Sequence, residues 1–100
     1  MKTLFLLFVL GISVNASGVY GYVYREPSYP VARAFVRVYD ARGQVVASAY
    51  SNIFGYYHLE APCCDYFVVT ATATTYVFEP ALLNTAFDDG NGFDIDFVAE

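Results

Sequence analysis

Ala34-Phe35-Val36-Arg37-Val38-Tyr39, followed at once by Asp40-Ala41-Arg42-Gly43, is the stretch that decides the fold. Successive side chains of a strand point to opposite faces. Ala34, Val36 and Val38 form one set here, and Phe35, Arg37 and Tyr39 the other. Burying a guanidinium without a partner is costly, so the small apolar set faces inward. Asp40 to Gly43 then reads as a tight hairpin turn, with Gly43 supplying a positive φ. The chain returns along residues 44–50, and the pair is a β-hairpin.

The same rhythm extends in both directions. Upstream, Val19, Gly21 and Val23 alternate with Tyr20, Tyr22 and Tyr24, and Glu26-Pro27-Ser28-Tyr29-Pro30 leaves the sheet because proline cannot donate to a ladder. Downstream, the turn at residues 51–55 leads to a run over 56–59 that buries Tyr57 and Leu59 and leaves Tyr56 and His58 outside. A long Val-, Thr- and Tyr-rich run covers 65–75, with Val68 taken as inward. Runs over 82–87 and 93–98 flank the turn Asp88-Asp89-Gly90-Asn91-Gly92. In the last run Phe93, Ile95 and Phe97 alternate with Asp94 and Asp96, giving one wet face. No stretch after residue 16 has helical apolar spacing. The chain is all-β, with the turn spacing of a sandwich or barrel.

Composition agrees with one small domain. Of 100 residues, 57% are hydrophobic, 19% aromatic and only 15% charged, which excludes a disordered or collagen-like chain. The net charge of −5, with no cluster of Lys or Arg, argues against nucleic acid or an anionic membrane as partner.

Residues 1–16 read as a signal peptide. Lys2 precedes an apolar run that breaks at Asn15, and Val14 and Ala16 satisfy the small-residue rule for cleavage after Ala16. The run is shorter than the about twenty residues a membrane span needs. The expectation is a secreted, periplasmic or cell-surface domain over 17–100, with no span after cleavage. Export permits oxidation of Cys63 and Cys64, which are adjacent. An adjacent pair cannot staple distant strands. A vicinal disulfide, free thiols, a cross-link to a partner and a soft-metal site are the alternatives.

Taken together, these motifs resemble the carboxypeptidase regulatory-like domain. The resemblance rests on Val19, Gly21 and Val23; on Pro30, Ala32, Ala34, Val36, Val38, Asp40 and Gly43; and on Asn52, Gly55, Tyr57, Leu59 and Pro62. It continues through Tyr66, Val68, Thr70, Tyr76, Phe78 and Pro80 to Asp96, Phe97 and Ala99. It implies a seven-stranded antiparallel β-sandwich of the transthyretin (prealbumin) type, with no catalytic residues of its own. Members act as folding supports, spacers, adhesive modules or carbohydrate-binding-like domains. Cys64 departs from the family, which usually has Gly there; if that turn needs a positive φ, Cys64 is strained.

Candidate chemistry is sparse. His58 and Glu60 share one side of a strand, but no nucleophile or oxyanion motif accompanies them, so no enzyme is expected. Asp88, Asp89, Asn91 and Asp94 offer hard oxygen ligands of the kind calcium takes, in a spacing that misses the EF-hand pattern and equally suits a plain turn. The other expectation is no cofactor. The aromatic excess is more informative. If the first two strands are neighbours, Tyr20, Tyr22, Tyr24, Phe35 and Tyr39 form one outward patch of a size that monomers seldom leave bare. Tyrosine suits protein and sugar partners alike. The expected function is protein association, including a homo-oligomer, or surface structure through this aromatic face. The alternative is carbohydrate binding by the same rings.

Overall fold

The structure, a computed structural model, describes residues 16–99. The expected signal peptide therefore lies outside the described residues except for Ala16, which opens β1 (Ala16–Arg25). The remaining strands are β2 (Tyr29–Pro30), β3 (Phe35–Tyr39), β4 (Val45–Tyr50), β5 (Tyr56–Pro62), β6 (Tyr66–Thr72), β7 (Ala81–Asn84), β8 (Phe93–Asp94) and β9 (Phe97–Ala99). They form two packed sheets. One is built around β1, with β2, β5, β8 and β9 as neighbours; the other has the order β4-β3-β6-β7. The described residues hold nine strands where seven were expected; the excess is the two-residue β2 and the division of the last run into β8 and β9.

The hairpin forms as its sequence requires. Gly43 takes φ +80°, its amide donates to the Asp40 carbonyl at 3.0 Å, and Asp40 Oδ1 accepts from the amides of Arg42 and Gln44, each at 2.9 Å. Val36 and Val38 are fully buried, as are Val19 and Val23 of β1. With Tyr57, Leu59, Phe67, Val69, Leu83 and Phe97 they make the core between the sheets. Each such side chain, fully buried, contributes roughly 1.5–3 kcal/mol of transfer free energy.

Several expectations are corrected. The sheet around β1 is mixed rather than antiparallel, because β8 and β9 both run parallel to β1. The final run is broken at Ile95-Asp96, where an amide and a side chain take over from the regular ladder: Ile95 N–H donates to the Tyr20 carbonyl at 2.8 Å, and Tyr22 N–H donates to Asp96 Oδ1 at 2.9 Å. Tyr29-Pro30 does join the sheet, as a short strand against Tyr24-Arg25, a peripheral place where proline is tolerated. The 82–87 run ends as a strand at Asn84, whose side-chain oxygen caps a 3-10 turn over Thr85–Phe87. The long run is a strand only from Tyr66 to Thr72. Within it Phe67 and Val69 are buried and Val68 is on the outer face, so the inward assignment of Val68 was one residue out of phase. Nor does Cys64 have a positive φ; among the described non-glycine residues only Arg33 does, at 61°.

Candidate functional site

Tyr20, Tyr22 and Tyr24 point outward from β1, as their alternation with the buried Val19 and Val23 demands. Register sets their neighbours. Tyr20 lies opposite His58 of β5 and Asp94 of β8, Tyr22 lies opposite Tyr56, and Tyr24 lies between Pro30 of β2 and Val98 of β9. Residues opposite one another share a face. The rings of Tyr22 and Tyr56 meet edge to face, with centroids 5.5 Å apart. The outer face of this sheet is a tyrosine ladder edged by His58, Glu60 and Asp94.

Phe35 and Tyr39 are not part of it. β1 and β3 belong to different sheets, so their outward side chains lie on opposite outer surfaces of the sandwich. On the second surface Phe35 stacks on Tyr50 at 4.7 Å, and the Arg37 guanidinium lies over Phe35 at 4.9 Å and near Tyr39 at 5.6 Å. Phe35 and Tyr39 therefore have partners within their own chain, while Tyr50 and Tyr66 of the same surface remain 60% and 67% exposed.

At one end of the tyrosine ladder is a cleft of about 350 Å³, lined by Tyr22, Tyr24, Pro27, Ser28, Pro30, Phe54 and Asp96. Tyr22 is 49% and Phe54 69% exposed. Asp96 is fixed by the Tyr22 amide. Asp94 lies close by, and loss of hydration together with the Asp96 charge raises its carboxyl above the usual 3.8. Behind them the buried Tyr57 hydroxyl donates to the Ile95 carbonyl, and burial, reinforced by Asp96 and Asp94, raises its pKa well above the usual 10. Negative charge is concentrated at this place.

A second cleft, of about 690 Å³, opens at the other end of β1. It brings together features that are far apart in the sequence: Tyr20, His58, Cys63, Cys64, Asp88 and Asn91. The sulfurs of Cys63 and Cys64 are within bonding distance of each other. Thr85, which the sequence did not single out, anchors their turn. It is 1% exposed; its hydroxyl donates to the Pro62 carbonyl and accepts from the Asp65 amide, each at 3.0 Å.

The acidic turn uses its side chains on its own backbone. Asp88 accepts from Gly90 N–H at 2.8 Å and Asp89 from Asn91 N–H at 3.0 Å. The Gly90 amide, with the Ser17 side chain, holds the Asp88 carboxyl below the usual 3.8. Asp94 is on β8, beside Asp96 rather than in the turn. Among the described residues, no three His, Cys, Asp or Glu side chains come together as a metal-binding group.

No family model matches the chain, and no curated protein matches it. Among solved structures it is similar to one described as "The Bacillus anthracis TIE protein", with a TM-score of 0.63 and 16% sequence identity. The match covers 85% of this chain and only 16% of that one. At that identity the likeness concerns the β-rich fold alone. Among the described residues, no helix is long and apolar enough to cross a membrane.

Proposed function

We propose that this chain is an exported, non-catalytic β-sandwich module of the carboxypeptidase regulatory-like kind, which associates with a protein partner or a second copy through the outer face of the β1–β5 sheet. The observation that carries this reading is the ladder of Tyr20, Tyr22 and Tyr24, joined across the strands by Tyr56. Large rings held on rigid strands give contact area at little entropic cost, and tyrosine anchors of this kind dominate many interfaces. On the opposite surface Phe35 already has Tyr50 stacked on it and Arg37 over its ring.

Carbohydrate binding is the second reading. The observation that favours it is the cleft in which Asp96 sits among Tyr22, Tyr24 and Phe54, since ring faces and a carboxylate together suit a sugar.

Sedimentation of the exported protein over a concentration series, beside a glycan-binding panel, tests the two. Concentration-dependent association with no glycan bound is expected. Replacing Tyr20, Tyr22 and Tyr24 with serine should weaken association at least tenfold, and the milder Tyr22→Ser should lower it with an unchanged melting temperature. A monomer at every concentration that binds glycans would give the face to the second reading.

A further inference from the structure

We propose that the cleft formed by Tyr22, Tyr24, Phe54 and Asp96 receives an arginine side chain presented by a protein partner. The inference rests on the proposed association through the tyrosine face and names the chemistry of what docks there.

The cleft has aromatic and proline walls with one carboxylate set among them. No cationic side chain among the described residues lines it. Aromatic faces attract a cation through their quadrupole, most strongly where water is partly excluded. A carboxylate at the same site adds a charge-assisted hydrogen bond, and guanidinium, with its planar fork of donors, fits both features at once.

This chain already shows the preference. Arg25 lies over the Tyr29 ring at 4.3 Å, Arg33 over Tyr50 at 5.7 Å and Arg37 over Phe35 at 4.9 Å. In each case an arginine and an aromatic ring lie together at the surface of a strand or its adjoining loop. At Tyr22 and Tyr24 the rings are combined instead with an acid.

Electrostatics select the same guest. The Asp96 charge disfavours that of its neighbour Asp94, and the whole chain is at −5. A cation at Asp96 relieves that repulsion, whereas a neutral sugar does not. Complementary charge of this sort sets partner choice and speeds encounter. Asp96 is also held ready, because the Tyr22 amide fixes one of its oxygens at 2.9 Å.

The test uses isotope-labelled exported protein and two blocked tripeptides, Gly-Arg-Gly and its neutral isostere Gly-citrulline-Gly, followed by NMR. Saturable shifts confined to Tyr22, Tyr24, Phe54 and Asp96 are expected with the arginine peptide, with at least tenfold weaker binding of the citrulline peptide. Asp96→Asn should reduce affinity at least fivefold, since asparagine can still accept from Tyr22 N–H but carries no charge. Phe54→Ser, at an exposed position outside the core, should reduce it as well and serves if Asp96→Asn does not fold. Equal binding of the citrulline peptide, absence of shifts in the cleft, or the same rings responding only to a neutral trisaccharide would each overturn the proposal. If the peptide fails while Tyr22→Ser still lowers association, the tyrosine face stands and the arginine site alone is rejected.

Discussion

Asp96 Oδ1 accepts the Tyr22 amide at 2.9 Å, joining two residues 74 positions apart in the chain. The bond stands where the parallel pairing of β1 passes from β8 to β9. It fixes the carboxylate beside the outward tyrosines. The same bond therefore closes the sheet and shapes the cleft.

Gly21 makes that closure feasible. A Cβ there would overlap the Ile95 carbonyl and come within 2.8 Å of Asp96 Oδ1. Gly21→Ala should destabilise the domain by about 3 kcal/mol, as overpacking against backbone does. Chemical denaturation measures this, and a cost below about 1 kcal/mol would show that the β8–β9 segment can shift aside.

The phase of β6 can be read from two adjacent valines. Val69 is fully buried and Val68 lies on the outer face. Val69→Ala should cost about 1–3 kcal/mol and Val68→Ala about 0.5 kcal/mol or less. Equal losses from the two variants would contradict the facing described.

Thr85, rather than the cysteine pair, should hold the turn after β5. Thr85→Val keeps the shape but leaves the Asp65 amide and the Pro62 carbonyl without their partner, a cost of about 1–3 kcal/mol for buried groups. Replacing Cys63 and Cys64 together by serine should change stability little, because a bond between neighbours constrains only its own turn. Melting temperatures of the two variants decide; a larger loss in the serine variant would reverse the order.

Acid should weaken the fold through two turn carboxylates. Asp40 is held below the usual 3.8 by the Gln44 amide, then by Arg42, and Asp88 by the Gly90 amide, then by Ser17. Their charged forms favour the folded chain, so this stabilisation is complete above about pH 3.8 and is lost as pH falls through the lowered values. Asp94 acts in the opposite sense: its raised carboxyl favours folding below 3.8, and that contribution is lost as pH rises through its raised value. Melting temperature should decline on acidification below 3.8, and less steeply in an Asp40→Asn, Asp88→Asn variant. An identical decline in that variant would reject the assignment.

The all-β class, the hairpin at Asp40 and Gly43, and the facing of β1, β3 and β5 are legible in the order of the amino acids alone. In β1 and β3 valine or a small residue faces inward against tyrosine, phenylalanine or arginine, and in β5 Tyr57 and Leu59 face inward against His58 and Glu60. Such contrast fixes the phase, because a slip of one residue would bury the polar set. β6 lacked that contrast at its centre, since Val68 on its outer face is as apolar as Val69 on the inner one. Which strands are neighbours emerges only from the folded backbone. It placed β1 and β3 in different sheets, so Tyr20, Tyr22 and Tyr24 are separated from Phe35 and Tyr39 and joined instead by Tyr56, Phe54 and Asp96. Alternation reports which side of a strand is dry. It is silent on what lies alongside, because that is settled by long-range backbone pairing and by close approaches such as Gly21 to Ile95.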